Sequence, residues 1–403
     1  MRMKHLLWVA CLVAFSILPL LAGAQANVDP PGSRQPRAPG KPRVQPLPES
    51  QWTDAQRQLV MKYSRDNRAD NVLRTLLHLP ALVDAVMPYT IYVSDESTLS
   101  PRHREILMLR AAWLAGNQPL WAVHAPRARA AGLTPAEIRR IAEGPDAAGW
   151  EGFEANLLRL ADQLYRNSSV TDATWNALSA NYDLLHLMDA VETANHVIVL
   201  SMLYNSLGVQ PDEGTPDRLP TDVKYRVVVP AREPPLTVAR VQPNPGEGIA
   251  VGRTFAKHPQ LNAKRGARAN FINRVSKLTP RHREMFILRI GWDCRAEYEW
   301  AQHVGNVGRA REHGLDPVKI AQGPDAPGWE PFERTILRAV DELYRDAMVS
   351  DKTWAALGEK YDTTLIMSGV FTSSSYRATS IALNTFGVQL EPGNERFPTV
   401  ARR

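Results

Sequence analysis

Cysteine is almost absent: the 403 residues hold two thiols, Cys11 and Cys294. That excludes a disulfide framework and any Cys-x-x-Cys pair for redox work or zinc. A dominant charge is lacking too. Lys+Arg number 48 against 42 Asp+Glu, and the net +6 is scattered. Short basic clusters such as Arg127-Ala128-Arg129 read as solvated helix faces, so no nucleic-acid partner is expected. Beyond residue 21 no apolar run approaches the roughly 20 residues that a membrane-spanning helix needs. No stretch alternates apolar and polar residues convincingly, as a half-buried strand would. What remains is ordinary globular composition, 44% hydrophobic and 22% charged, in a chain long enough for two domains.

The N-terminus follows different rules. Arg2 and Lys4 precede an apolar run from Leu6 to Leu21, followed by Ala22-Gly23-Ala24 and Ala24-Gln25-Ala26. This is the pattern of a secretory signal, so residues 1–26 are expected to be removed after Ala24 or Ala26. An exported, periplasmic or secreted protein follows, with no stable membrane insertion after cleavage and Cys294 as its lone thiol. Residues 27–50 are rich in proline and lack apolar periodicity, so they read as a flexible leader.

The chain repeats itself at an offset of 179 residues. Leu99-Ser100-Pro101-Arg102-His103-Arg104-Glu105 returns as Leu278-Thr279-Pro280-Arg281-His282-Arg283-Glu284. Gly144-Pro145-Asp146-Ala147 returns as Gly323-Pro324-Asp325-Ala326, and Gly208-Val209-Gln210 as Gly387-Val388-Gln389. The register breaks once, where the second copy has three extra residues between His303 and Gly314 and three fewer between Gly314 and Gly323. The expected domains are 51–220 and 246–403, joined by a linker at 221–245.

Each copy reads as helical. Ser100-Pro101 and Thr279-Pro280 are N-caps with proline in the first turn. Met285, Leu288, Ile290 and Trp292 form the stripe of the helix that follows. Further helices are expected at about 297–312, 329–346, from 351, and 362–385. The fold class is all-α, two tandem bundles of helical hairpins.

In the second copy Glu284, Glu299 and His303 stand out. Glu299 and His303 share a helix face at i, i+4, and Glu284 sits on the preceding helix. A hairpin would bring all three together as a carboxylate–imidazole site for general acid–base work. The plainer reading of such a pair is a surface contact worth a few tenths of a kcal/mol. Two carboxylates and one imidazole are a thin ligand set, so no metal is expected.

The run from Leu278 to Glu284, then Leu288-Arg289, Glu297-Tyr298-Glu299-Trp300-Ala301-Gln302-His303, Ala310 and Gly314-Leu315, resembles the core motif of the carboxymuconolactone decarboxylase family, which includes the alkylhydroperoxidase D-like proteins. The resemblance covers most of both copies, with the specific motif spanning about forty residues in each. In the peroxidase branch a Cys-x-x-Cys-x-x-x-His element follows a glutamate. Here the two cysteine positions are Ala296 and Glu299, so hydroperoxide reduction is expected to be missing. The decarboxylase branch implies cofactor-free and metal-free chemistry on a small carboxylated lactone or related organic acid. By that resemblance His303 donates the proton, Glu299 shares it, and Glu284 supports the ring. Arg281 or Arg289 would hold the substrate carboxylate, with Tyr298 and Trp300 beside it.

The first copy keeps Glu105 and His124 but has Leu120 where the second has Glu299, with Pro119 and Gln118 before it, and so reads as degenerate. Single-copy relatives form symmetric oligomers, which implies a homo-oligomer here, a trimer of two-copy chains being one form. His103 and His282 read as exposed helix caps, and His196 as a satisfied core or surface residue. Two other functions stay open: a binding or scaffold protein that kept the fold, and a peroxidase. Export sits poorly with muconolactone breakdown inside the cell, so the substrate itself is left open.

Overall fold

The computed structural model describes residues 31, 35–36, 39–64, 68–150, 152–305 and 307–400. The expected signal peptide lies outside them. Helices make up the regular structure of the described residues, and none is long and apolar enough to cross a membrane.

The first half runs α1 (Asp54–Tyr63), α2 (Asn71–Leu76), α3 (Pro80–Ile91), α4 (Pro101–Leu114), α5 (Gln118–Ala130), α6 (Pro135–Glu143), α7 (Gly152–Asn167), α8 (Asp172–Ser179) and α9 (Leu184–Leu207). The second runs α10 (Ala250–Phe255), α11 (Pro259–Asn270), α12 (Pro280–Asp293), α13 (Glu297–Val304), α14 (Pro317–Gln322), α15 (Pro331–Asp346), α16 (Asp351–Gly358) and α17 (Thr363–Phe386). The series α2–α9 therefore recurs, helix for helix, as α10–α17.

Local chemistry explains the boundaries. The hydroxyls of Ser100 and Thr279 accept from the backbone N–H of His103 and His282, capping α4 and α12. Asp183 and Asp362 cap α9 and α17 in the same way. Gly208 and Gly387 end those helices at φ 68°, a left-handed position that suits glycine. The two 24-residue helices, α9 and α17, pack against each other in the middle of the molecule, and α3 packs on α11 across the same junction.

One expected helix is shorter than its periodicity suggested. The 297–312 prediction ends at Val304, and a series of turns follows. The extra residues of the second copy fall here, with Gly305 and Gly308 among them. Pro119, by contrast, does no damage to α5, because it sits in the first turn where its missing N–H is not needed.

The flexible-leader reading of 27–50 is corrected for 39–50. The N–H groups of Arg43 and Val44 donate to Leu207 O at 3.0 and 3.1 Å, and Val44 is buried. Arg43 donates to Ser206 O, Val349 O and Asp351. The linker holds a matching segment. Arg240 and Val241 donate to Phe386 O, and Arg240 reaches Thr385 O, Val170 O and Asp172. Each arm ties the last helix of its own copy to the turn before α8 or α16 of the other. The sequence carries this as Arg43-Val44-Gln45-Pro46-x-Pro48 and Arg240-Val241-Gln242-Pro243-x-Pro245, offset by 197 residues rather than 179. Proline suits these arms because they are extended and donate few backbone bonds.

Arg43→Ala is expected to cost about 1–3 kcal/mol, because it orphans two carbonyls at a site where the arginine is 9% exposed. A melting temperature unchanged by Arg43→Ala would return the segment to the status of a leader.

Candidate active site

Consecutive helices α12 and α13 pack on one another and bring Glu284, Glu299 and His303 together. His303 Nδ1 lies 2.7 Å from Glu284 Oε2, and His303 Nε2 lies 3.0 Å from Glu299 Oε1. All three are buried, at 3, 1 and 5% exposure for His303, Glu284 and Glu299, so this is not a surface pair. Burial alone would push the His303 pKa down. The two carboxylates, Glu284 foremost, outweigh it and hold the ring up at about 10. Through the neutral range His303 is therefore an imidazolium donating from both nitrogens. Its ring stands perpendicular to that of Tyr376, with centroids 4.9 Å apart.

Gly308 closes over this chain. A Cβ there would fall 2.2 Å from Glu284 Oε2 and 2.7 Å from His303 Nδ1. Gly308→Ala is thus expected to prise the pair apart and cost about 1–3 kcal/mol. The check is a lower melting temperature together with a lowered His303 pKa in an NMR titration.

Glu299 and His303 open into a cavity of about 540 Å³ between α11, α13 and α17. Its walls mix apolar residues (Ile249, Val251, Ile272) with Gln302, Ser375 and Tyr376. Two arginines, Arg265 and Arg268, enter from α11, and Glu192 enters from α9 of the first copy. The size suits a small ligand.

The expected substrate arginines are corrected. Arg281 is spent on Glu333 and on the carbonyls of His313 and Gly314. Arg289 is buried against Asp341 and the carbonyls of Ile320 and Ala321, and Arg110 repeats this in the first copy with Asp162. Trp300 is also misplaced: it is fully buried against Trp292 and Phe397 and lines no part of the cavity. Tyr298 does line the cavity, its hydroxyl donating to Glu391 and accepting from Val251 N–H.

The arginines that do face the cavity were legible as a difference between the copies. At the positions of Asn262, Arg265 and Arg268 the first copy has Val83, Val86 and Tyr89. A helix face that turns from apolar to cationic between repeats needs a reason, and the cavity supplies it.

In the first copy the dyad survives alone. His124 Nδ1 lies 2.8 Å from Glu105 Oε2, and Arg127 Nε lies 3.1 Å from Glu105 Oε1. Burial pushes the Glu105 pKa up, but His124 and Arg127 together hold it below its ordinary value. Leu120 occupies the place of Glu299, so no second carboxylate meets the ring.

Three other histidines fall outside the site. His103 and His282 are half-buried rather than exposed, bonded through Nδ1 to the hydroxyls of Tyr182 and Tyr361 at 2.7 Å. Their positions in both copies pack against Phe153 and Phe332. His196 is buried between Thr90 and Arg268. Burial and the Arg268 cation hold its pKa well below 6.5, so the neutral ring accepts from Arg268 at Nδ1 and donates to Thr90 from Nε2. The Cys294 thiol is fully buried and pushed up to about 11 by burial, so it is no thiolate nucleophile.

No curated protein matches the chain. Among solved structures, an uncharacterized peroxidase-related protein from Ralstonia eutropha JMP134, described as an alkylhydroperoxidase AhpD core, is 21% identical, with a TM-score of 0.37, covering 42% of this chain and 92% of its own. An uncharacterized peroxidase-related protein from Silicibacter sp. TM1040 is 14% identical, with a TM-score of 0.38, covering 46% of this chain and 97% of its own. One stretch of the chain is matched at the level of family: residues 79–163, which carry Glu105 and His124, match the carboxymuconolactone decarboxylase family.

Proposed function

We propose that the chain is a tandem duplication whose second copy is a cofactor-free acid–base enzyme for a small organic acid. The observation that carries this is the unbroken chain Glu284–His303–Glu299, with contacts of 2.7 and 3.0 Å and its outer end in the cavity. Arg265 stands where a substrate carboxylate would bind. The N-terminal apolar run supports export, and with it a substrate met outside the cytoplasm.

The raised His303 pKa refines the roles. An imidazolium held up at about 10 is stocked with a proton at neutral pH but yields it only to a strongly basic atom. A carbanion developing on the substrate is such an atom. In a decarboxylation the C–COO⁻ bond breaks, its electron pair moves into the unsaturated system, and CO₂ leaves. The proton then passes from His303 Nε2 through the Glu299 carboxylate to the far carbon in one concerted transfer, and His303 is reprotonated from solvent, so the product keeps one proton for the CO₂ lost. In an isomerisation Glu299 first removes a proton and later returns it elsewhere, so nothing is gained or lost. Glu284 keeps the ring oriented in both.

A second reading is binding without turnover. It is favoured by the fact that both His303 nitrogens are already engaged. The two part in one experiment. The protein is incubated in D₂O with small mono- and dicarboxylic acids and lactones, and carbon-bound proton signals and CO₂ release are followed by NMR. The enzyme reading expects exchange or decarboxylation of at least one acid, lost more than about 100-fold in Glu299→Gln. Acids that bind but stay unchanged would establish the binding protein, and turnover surviving Glu299→Gln would move the site elsewhere.

A further inference from the structure

The cavity holds more polar demand than the chain itself meets. Four buried side-chain atoms on residues lining it have no hydrogen-bond partner among the described residues: Glu192 Oε1, Arg268 Nε, Gln302 Oε1 and Ser375 Oγ. Orphaned buried groups are costly, and four of them on residues lining one cavity mark it as a place where a ligand's polar groups would be used.

Glu192 is the informative member. It comes from α9 of the first copy, where the second copy has Phe371, and is 2% exposed. Its Oε2 accepts from the Tyr89 hydroxyl, and its Oε1 lies 4.0 Å from Arg265 Nη1, beyond hydrogen-bond reach. Arg268 stacks on the Tyr89 ring at 3.7 Å. This wall therefore carries two cations and one carboxylate, leaving one unit of positive charge and one free carboxylate oxygen side by side.

We infer that the site takes a carboxylic acid bearing a hydroxyl on the carbon next to its carboxylate, with Glu192 as the residue that reads the hydroxyl. The carboxylate answers Arg265 and Arg268 Nε. The neighbouring hydroxyl donates to Glu192 Oε1, a charge-assisted bond of the stronger kind. An ammonium in the same place would also suit the carboxylate, but it would sit against two guanidinium groups, so the uncharged donor is favoured. The inference rests on the cavity being the ligand site and adds that the first copy, though it lacks a counterpart of Glu299, completes it.

The test uses three acids that differ at one position: phenylacetate, mandelate and phenylglycine. Their binding to the full chain is measured by calorimetry, with Glu192→Gln and Glu192→Leu beside the native protein and melting temperature as the folding control. Mandelate is expected to bind at least about tenfold tighter than phenylacetate. In both variants that ratio should fall to about threefold or less. Glu192→Gln keeps the size of the side chain and an acceptor for Tyr89, so it remains informative if Glu192→Leu fails to fold. Equal binding of mandelate and phenylacetate, a preference that both variants retain, tightest binding of phenylglycine, or binding of none of the three would overturn the inference. Turnover without hydroxyl preference would sink this inference alone. Hydroxyl preference without turnover would sink only the catalytic reading.

Discussion

His303→Ala should destabilise the protein by about 3–5 kcal/mol, the range for removing one partner of a buried ion pair. The reason is what stays behind. Glu284 and Glu299, at 1 and 5% exposure, would face each other's charge with the imidazolium gone. Arg283 Nε, 3.2 Å from Glu284 Oε1, relieves only one of them. For a domain of this size the loss corresponds to roughly 10 °C in melting temperature. His124→Ala in the first copy should cost less, because Arg127 remains on Glu105 and Leu120 brings no second charge. Adding Glu299→Gln to His303→Ala should restore part of the loss.

The same pair sets a pH dependence. The folded-state pKa of His303 is raised, to about 10 from 6.5. Its contribution to stability is therefore complete below about pH 6.5 and is lost as the pH rises through about 10. The native protein should lose several kcal/mol across that window, and His303→Ala should lack that slope. The variant should instead gain stability on acidification, as its two unpaired carboxylates take up protons. Equal stability of native and variant proteins at pH 7 would mean that the three groups do not meet.

Arg110→Met is the second large effect, again about 3–5 kcal/mol. Arg110 is fully buried, donates to both oxygens of Asp162 at 2.6 and 3.0 Å, and holds the carbonyls of Ile141 and Ala142. Methionine fills much of the volume but leaves a carboxylate and two carbonyls unpaired. Arg110→Met with Asp162→Leu should recover most of the loss, since an apolar pair of similar volume is often no worse than a buried ion pair. Arg289→Met should behave in parallel, through Asp341. Were Arg289 the substrate-binding residue, its loss would weaken ligand binding and leave the melting temperature alone; the opposite is expected.

The repeat made the fold legible. The caps at Ser100 and Thr279, the glycine stops at 208 and 387, and the apolar stripes all act within one turn of chain, and local signals of that kind survive in sequence. The triad was legible for the same reason: its spacing on α13 and its place one helix after Glu284 follow from helix geometry. The partners of the triad were not. Arg265 and Arg268 could be found only by asking why α11 is cationic where α3 is apolar. Glu192 lies 73 residues before Arg265, in the first half of the chain, and reaches the site because α9 packs on α17. Arg281 and Arg289 misled because an arginine near a catalytic motif looks the same whether it serves a substrate or a buried aspartate. The arms are not legible from composition, because proline suits an extended docked segment as well as a disordered one, and the repeated Arg-Val-Gln-Pro lies at a different offset from the helices.

The central claim is that His303 is a buried imidazolium whose Nε2 side meets the ligand cavity. An NMR titration of the histidine ring nitrogens tests it most directly, with and without saturating mandelate. The prediction is a ring protonated on both nitrogens from neutral pH up to about 10, with Nε2 shifting when ligand binds and Nδ1 moving less. A neutral His303 at pH 7, or a ring indifferent to every acid that binds, would contradict it.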